Sequence, residues 1–130
     1  NYIMRKIAIS TNEAPRPVGS YSQAISTQNL IFISGQIGLE PRTGKICSSK
    51  FDKQLNQVFR NLSAICEGSG HTLNDIAKIT VYLSDLNNTQ TLNLLIPKFF
   101  NNPYPARAVI GASKLPLDAL VEIEAIIEKA

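Results

Sequence analysis

Apolar residues along the chain follow two different periods, one typical of strands and one typical of helices. Segments 5–10, 21–27 and 29–39 are short and contain many Ile, Phe, Tyr and Thr residues, which predicts three strands. The sequence EPRTGK at 40–45 has the Pro and Gly of a turn. Gly35 interrupts the third predicted strand, and a glycine there indicates a β-bulge or a close approach of other atoms to the backbone.

A helix is predicted between residues 51 and 66, where apolar side chains recur at spacings of three and four and form one stripe. Ser48 or Ser49 is a candidate cap for its start. Gly68 or Gly70 can end it in the left-handed conformation, which glycine adopts readily.

The second half of the chain alternates strands with one more helix. Segment 76–85 is a predicted strand with many β-branched residues, and segment 87–100 is a predicted helix. Pro97 removes a backbone donor near the end of that helix, so we expect the helix to kink or tighten there. Two final strands, 106–113 and 120–129, are joined by a short connection and are expected to form a hairpin.

This order of elements is typical of an α+β two-layer sandwich, with two helices on one face of a mainly antiparallel sheet. Residues 1–130 are expected to form a single domain. The other face of the sheet also needs partial cover, because Ile126 shares a face with Glu122 and Glu124 of the last strand. We therefore expect an oligomer in which the uncovered faces meet, although the sequence pattern does not set the number of subunits.

The composition is that of an ordinary soluble globular protein, with 130 residues of which 44% are hydrophobic and 18% are charged. No apolar run approaches the roughly 20 residues that span a bilayer, and the N-terminus has no signal-peptide pattern. We therefore expect no membrane partner and a cytoplasmic location. The net charge is +3, but the basic residues are scattered and Trp is absent, so nucleic acid is not an expected partner.

Residues that bind metals are few and dispersed. The chain has two cysteines, Cys47 and Cys66, and one histidine, His71, and their spacing does not make a zinc site. Cys66 falls on the apolar stripe of the first helix and is expected to be a small buried residue. The SGQIG sequence at 34–38 lacks the spacing of a dinucleotide-binding motif. We expect neither a metal nor a cofactor.

Arg107 stands at the head of an apolar strand, where a permanently charged side chain needs solvent or an anionic partner. One interpretation is a structural ion pair with Glu122 at the end of the hairpin. The other is a guanidinium that binds the carboxylate of a substrate, while Glu122 steers water. The register leaves both interpretations open, because a turn near Pro116 would place Arg107 opposite residue 126 rather than Glu122.

Three further polar residues have both a structural and a functional interpretation. Tyr21 is either a half-buried structural tyrosine or part of a site, and Asn93, in the middle of the second helix, is either simply exposed or lines a pocket. A Ser-His-Asp triad would depend on His71, but the polar loop GSGHTLND favours an ordinary surface histidine.

Four segments together resemble the RidA (YjgF) family. YPARAVIGASKLPLDALVEIEAI at 104–126 is similar to the C-terminal signature of that family. APRPVGSYSQAI at 14–25 and IFISGQIGLEPRTGKI at 31–46 resemble its N-terminal landmarks, and DLNNTQTLN at 85–93 resembles its second helix. The segments occur in the same order as in the family and cover most of the chain, which makes the resemblance specific.

The resemblance implies a chorismate-mutase-like α+β fold that assembles as a homotrimer, with sites in clefts between subunits. It also implies hydrolysis of reactive 2-imino acids, such as 2-iminopropanoate and 2-iminobutanoate, to 2-keto acids and ammonia, without a metal or a cofactor. Such imines arise from the products of pyridoxal-phosphate enzymes such as serine/threonine dehydratase. Other roles of the family are RNA cleavage with translation inhibition, and holdase behaviour.

The same resemblance implies a role for each candidate residue. Arg107 matches the arginine that binds the substrate carboxylate, Glu122 the glutamate that positions water, and Tyr21 the tyrosine contributed across the subunit interface. These three are the expected catalytic residues. The binding residues expected beside the substrate, in addition to the arginine, are Ser34, Gly35, Asn93, Ala108 and Val109.

Four positions depart from the family pattern. Val109 stands where many members carry Cys, so a thiol nucleophile is unavailable there, although backbone amides can still bind a ligand. Thr89 replaces an aromatic residue and Ile96 a tyrosine, which leaves the size of the substrate open. Ser20 replaces the proline that usually precedes the tyrosine and is expected to loosen that loop. The alternative functions are a non-catalytic module that binds small carboxylates and, with less support, RNA cleavage.

Overall fold

A computed structural model describes residues 5–129, in which six strands form one sheet and two helices cover one of its faces. The helices are α1 (Phe51–Gly68) and α2 (Thr89–Leu95), and short 3-10 turns, Leu86–Asn88 and Ile96–Lys98, flank α2. The strands are β1 (Ile7–Ile9), β2 (Ala24–Ser26), β3 (Leu30–Gln36), β4 (Ile76–Leu83), β5 (Ala106–Gly111) and β6 (Val121–Glu128). All the predicted strands and both helices are therefore present, with ends that differ by a few residues.

The strand order across the sheet is β1-β2-β3-β6-β4-β5. Every neighbouring pair is antiparallel except β4 and β5, which are parallel, so the prediction of a mainly antiparallel sheet is confirmed. The predicted hairpin of the last two strands is wrong, because β4 lies between β5 and β6. The physical reason is α2, which carries the chain from the end of β4 back to its start and so supplies the crossover that a parallel pair requires.

The hydrophobic core lies between the sheet and α1. The helix contributes the predicted apolar stripe, including Cys66, which has no exposed surface and is confirmed as a small buried residue. Alternate residues of β4 and β6 face the helix side of the sheet, as the period of a strand requires. The fully or almost fully buried core side chains of these strands are Ile79, Val81, Leu83, Val121, Ile123, Ala125 and Ile127.

The predictions for the ends of the helices are confirmed only in part. The residue that caps α1 is Lys50, not Ser48 or Ser49, and its side chain makes no capping hydrogen bond. The Ser48 hydroxyl instead accepts from the backbone N–H of Lys50 (3.1 Å), which orders the turn just before the helix. Gly70 follows α1 with φ +83°, as predicted for a glycine that ends a helix. Pro97 lies in the 3-10 turn after α2, so the expected tightening occurs.

The face of the sheet opposite the helices, which we call the open face, is partly apolar. Glu122, Glu124 and Ile126 of β6 point to it, as predicted. Phe32 on β3 joins them and is 42% exposed in the single chain. A shallow hollow of about 290 Å³ lies on this face, with Phe32 and Ile126 among its lining residues. Neither helix of residues 5–129 is apolar over a stretch long enough to cross a membrane.

Candidate functional site

Arg107 lies on β5, the strand at one edge of the sheet, and its side chain is exposed. It pairs with Ile79 of β4, and directly paired residues point to the same face, so Arg107 points toward the helix side. A cavity of about 260 Å³ opens beside it. The residues that line this cavity are Ile79, Asn93, Ile96, Pro97, Tyr104, Pro105 and Arg107.

The guanidinium of Arg107 has no carboxylate partner among the residues that the structure describes. Among residues 5–129, the only salt bridge joins Lys114 to Asp118, at 3.5 Å between two exposed side chains. The interpretation of Arg107 and Glu122 as a structural ion pair is therefore wrong. An arginine presents five N–H donors in a planar fork, and at a largely apolar cavity this fork is available to bind a carboxylate from outside the chain.

Asn93 lines the same cavity from α2, while its side chain is exposed on the helix surface. The two interpretations of this residue are thus compatible, because an exposed position on α2 is also a position at the mouth of the cavity. Ile96 is another lining residue, so the position where the family pattern has a tyrosine lies in the cavity wall. Thr89 is not among the lining residues of the cavity in the single chain.

Glu122 lies on β6, directly paired with Tyr82 of β4, and points to the open face. Its carboxylate lies against the backbone of Gly35. A Cβ added at position 35 would lie 3.0 Å from Cδ and 3.2 Å from Cγ of Glu122 and would overlap Oε2. The register of β3 against β6 also shifts at Ser34 and Gly35, so the predicted β-bulge and the predicted close approach are both present.

The environment of Glu122 disfavours its charged form. Burial of the carboxyl group, and then the negative charge of Glu124 two residues along the strand, raise the pKa of Glu122 above its ordinary value. A carboxyl group whose pKa is raised toward neutrality is a better general base near pH 7 than an exposed glutamate.

Tyr21 lies in the loop that precedes β2, and its side chain is 53% exposed. The next residue, Ser22, accepts a hydrogen bond through its backbone carbonyl from the Ser34 hydroxyl, at 2.6 Å. This contact brings the loop to the bulge at Ser34 and Gly35, beside which Glu122 lies. The hydroxyl hydrogen of Ser34 is used in this contact, so only the acceptor capacity of its oxygen is open to a ligand.

The candidate residues thus form two groups on opposite faces of the sheet. Arg107 and Asn93 border the cavity on the helix side, and we call them the arginine half-site. The second group lies at the bulge on the open face, and we call it the glutamate half-site. Its members are Tyr21, Ser34, Gly35 and Glu122.

Ala108 and Val109 follow Arg107 along β5. Val109 pairs with Val81 and packs partly against the core, while Ala108 is exposed and pairs with Thr80 on the open face. Because β5 is an edge strand, the backbone amides that point away from β4 have no strand to pair with in residues 5–129. Such amides are suited to support an anion bound by Arg107.

Tyr104 is a lining residue of the cavity that the sequence analysis did not single out. Half of its side chain is exposed, and it lies three residues before Arg107 in the YPAR sequence. That proximity was the one available signal, but a tyrosine before a proline is also common in ordinary loops.

The environments of the two cysteines and the histidine favour a structural role for these side chains. Burial raises the pKa of the Cys66 thiol to about 12, and burial also raises the pKa of Cys47, so neither forms a thiolate readily at neutral pH. The Nδ1 atom of His71 is 2.9 Å from the carbonyl oxygen of Ser69 in the loop after α1, which fits the ordinary loop histidine. No three His, Cys, Asp or Glu side chains come together as metal ligands in the part of the chain that the structure describes.

Comparison with known proteins places the chain in a family. A model of the Endoribonuclease L-PSP family matches residues 11–129. A 2-iminobutanoate/2-iminopropanoate deaminase from Dermatophagoides farinae is 38% identical over 122 residues, which cover 94% of this chain and 95% of that protein. Other relatives with similar coverage carry only the family name RutC.

Solved structures support the same assignment. RidA from a Psychrobacter species superposes with a TM-score of 0.91 and 42% identity, over 95% of this chain and 99% of that one. TdcF from E. coli, solved with bound serine, superposes with a TM-score of 0.89 and 33% identity, again over 95% and 99% of the two chains. The architecture is therefore the chorismate-mutase-like α+β fold that the resemblance implied. The chain belongs to the Endoribonuclease L-PSP family, which is the RidA (YjgF) family of reactive intermediate deaminases and their relatives.

Proposed function

We propose that the protein hydrolyses reactive 2-imino acids, such as 2-iminopropanoate and 2-iminobutanoate, to 2-keto acids and ammonia. The observation that carries this proposal is the guanidinium of Arg107, which is exposed at a cavity of about 260 Å³ and has no carboxylate partner among residues 5–129. A substrate with a carboxylate next to the reacting carbon fits this arrangement, because the arginine can hold it by two parallel hydrogen bonds.

Two relatives support the choice of substrate. One is named as a deaminase of these two imino acids, and the other was solved with bound serine. Serine and a 2-imino acid have the same carboxylate attached to a carbon that bears nitrogen. The serine bound to TdcF thus has the carboxylate and the nitrogen that the proposed reaction needs.

The reaction needs the fixed carboxylate and a positioned water. Arg107 binds the carboxylate of the imino acid, supported by a backbone amide of Ala108 or Val109, and this orientation lowers the entropic part of the barrier. Glu122 accepts a proton from water as the water oxygen bonds to C2 of the protonated imine. Glu122 then gives this proton to the amino nitrogen, the C–N bond breaks and ammonia leaves, and the hydroxyl made from water loses its proton to the freed Glu122 carboxylate and becomes the carbonyl oxygen of the 2-keto acid. Tyr21 donates a hydrogen bond to the water.

This mechanism requires residues from both half-sites, and we propose that they meet between subunits of a homotrimer. In one chain, Arg107 and Glu122 point to opposite faces of the sheet, so a small substrate contacts both only if a second copy supplies one of them. The partly apolar open face, with Phe32 and Ile126, offers a surface for that association. The expected location of this trimer is the cytoplasm.

Two other functions have less support. A module that binds small carboxylates without turnover would use Arg107 in the same way, but it would have no use for a half-buried glutamate with a raised pKa. Ribonuclease activity, which the name of the family model mentions, usually needs a pair of acid and base groups at a basic groove. The chain has a single histidine, and that residue contacts Ser69 in its own loop.

The proposed function is tested by ammonia release from freshly generated 2-iminobutanoate and 2-iminopropanoate. Wild type is expected to turn over both, and Arg107→Ala is expected to lose at least about 100-fold in kcat/KM, because the carboxylate is no longer oriented. Arg42→Ala removes an exposed arginine from the 40–45 turn and serves as the control with unchanged rate. Binding of a 2-keto acid without turnover by folded wild type would favour the binding module instead.

A further inference from the structure

We propose that Gln23 is a positioning residue that holds the loop carrying Tyr21 in place beside the glutamate half-site. Gln23 is 2% exposed and lies directly before β2. This inference rests on the proposed function, because it assigns Gln23 a role through Tyr21.

The side-chain amide of Gln23 uses both its oxygen and its nitrogen. Oε1 accepts from the backbone N–H of Thr11 at 2.7 Å. Nε2 lies 3.0 Å from the carbonyl oxygen of Thr11, 3.3 Å from that of Ala14 and 2.9 Å from that of Pro15, so its two N–H groups are shared among these three acceptors. A buried side chain with this many backbone contacts fixes the path of the segment from Thr11 to Pro15.

The backbone of Gln23 is tied to the glutamate half-site at the same time. Its carbonyl oxygen accepts from the backbone N–H of Ser34 at 2.9 Å, next to the contact between the Ser34 hydroxyl and the Ser22 carbonyl. The loop that contains Tyr21 leaves the body of the protein at Pro15 and returns at Ser22. Gln23 thus holds the start of this loop with its side chain and the end of it with its backbone.

The loop between these two ends has few attachments of its own. Within the described part of the chain, no hydrogen bond involves residues 16–21. Val18 at the tip is 90% exposed, so packing does not anchor it either. Gly19 has φ +132° and sets the turn, and a Cβ there would lie 3.8 Å from the Tyr21 ring. The position of Tyr21 therefore depends mainly on the two ends that Gln23 holds together.

A double-mutant cycle distinguishes a positioning role from a merely structural one. Gln23→Met keeps the length of the side chain and removes the amide. We expect it to lower kcat by roughly tenfold with little change in KM, within the range of couplings between residues that share a network. In the Tyr21→Phe background, the same substitution should lower kcat less than about twofold, while the loss in Tm is equal in both backgrounds.

Gln57→Met is the matched control. Gln57 is also a buried glutamine, its amide donates to Asn61 at 2.9 Å, and no contact joins it to the Tyr21 loop in the described residues. We expect this variant to lower Tm and to change kcat by the same factor in both backgrounds. Equal losses of kcat for Gln23→Met in the two backgrounds would overturn the positioning role.

Backbone 15N relaxation gives a readout that does not require turnover. Gln23→Met should lower the backbone order parameters of residues 18–22, and Gln57→Met should leave them unchanged. Unchanged order parameters in Gln23→Met, with an active wild type, would contradict this inference alone. Lower order parameters with a wild type that releases no ammonia would contradict the proposed function, and with it the catalytic consequence of the loop position. A Tyr21→Phe variant with full activity would overturn the role of Gln23 through Tyr21.

Discussion

Arg107 and Glu122 lie on opposite faces of one sheet, with β4 between their strands. Arg107 pairs with Ile79 of β4, and Ile79 pairs with Ala125 of β6. Ala125 lies three residues along β6 from Glu122. Strands about 4.8 Å apart and a rise of about 3.3 Å per residue put the two backbones roughly 14 Å from one another. A substrate of a few carbon atoms does not bridge this separation through the sheet, so their cooperation requires two copies of the chain.

Gly35→Ala is expected to displace the Glu122 carboxylate. The added Cβ would overlap Oε2 and lie 3.0 Å from Cδ, and because these atoms end a flexible side chain, the cost should be near the lower end of the range for overpacking, about 1 kcal/mol. We expect a loss in the free energy of unfolding of this size, together with a lower kcat/KM. Urea denaturation and the imine hydrolysis assay measure the two effects.

A second substitution tests whether crowding against Glu122 causes the loss of stability in Gly35→Ala. In a Glu122→Ala background the crowding atoms are gone, so Gly35→Ala should cost less than about 0.5 kcal/mol. Gly68→Ala is the control, because its Cβ would meet Thr11 at an ordinary 3.4 Å, and its effect should not depend on residue 122. The same cost for Gly35→Ala in both backgrounds would show that the backbone, not Glu122, is responsible.

The arrangement of elements was largely predictable from the sequence, but the strand order was not. The alternation in 120–129 and the stripe of 51–66 identified the core faces of β6 and α1 correctly, because each local period matches the surface that the element buries. The prediction of a hairpin of β5 and β6 was wrong. A short connection in sequence favours two strands that are neighbours in the sheet, and it gives no sign that β4 would lie between them.

The raised pKa of Glu122 makes the stability of the fold depend on pH. Because burial raises this pKa in the folded state, the native protein holds the proton at pH values where the unfolded chain has lost it. The stabilising effect of the protonated form is complete below the ordinary pKa of glutamate and is lost as the pH rises through the higher, folded value. The advantage of Glu122→Gln over wild type should therefore grow as the pH rises above the ordinary pKa of glutamate and level off above the higher, folded value.

Urea denaturation at fixed protein concentration across this pH range measures the difference. Glu128→Gln, an exposed carboxylate at the end of the same strand, is the control. A difference between Glu122→Gln and wild type that stays constant with pH would contradict the assignment. In the activity assay, kcat/KM of wild type should fall on acidification at a pH above the ordinary range of glutamate, because the base must be ionised.

Leu117→Gly is expected to stabilise the fold. Leu117 has φ +54° in the loop before β6, and the left-handed conformation costs a leucine about 1–2 kcal/mol. Its side chain is 65% exposed, so little apolar burial is lost on substitution. The greater flexibility of glycine stabilises the unfolded chain and offsets part of this relief. We therefore expect a net gain of about 0.5–1 kcal/mol in the free energy of unfolding.

Leu117→Ala separates the backbone from the side chain. Alanine has the same left-handed penalty, so this variant should show no such gain. Thermal denaturation of the three proteins at equal concentration decides the question. A stability of Leu117→Gly at or below that of Leu117→Ala would show that the backbone at this position is not strained.

Most residues of the candidate site were predicted from the sequence, but Tyr104 and the spatial arrangement of the residues were not. Arg107 was conspicuous because a charge at the head of an apolar strand requires a partner, and Gly35 because a glycine inside a strand indicates a close approach. The separation of Arg107 from Glu122 depends on the order of strands, which local patterns do not encode. The contacts of Gln23 depend on a loop path that has no periodic signal.

In the proposed mechanism, Arg107 of one chain and Glu122 of another act on the same substrate. Arg107→Ala and Glu122→Gln chains, each inactive alone, can be co-refolded in equal amounts and assayed for ammonia release from 2-iminobutanoate. Random assembly of closed rings joins an intact Arg107 to an intact Glu122 at about one interface in four, so the mixture should recover about a quarter of wild-type activity. A mixture that exchanges subunits and stays as inactive as the separate variants would contradict the claim.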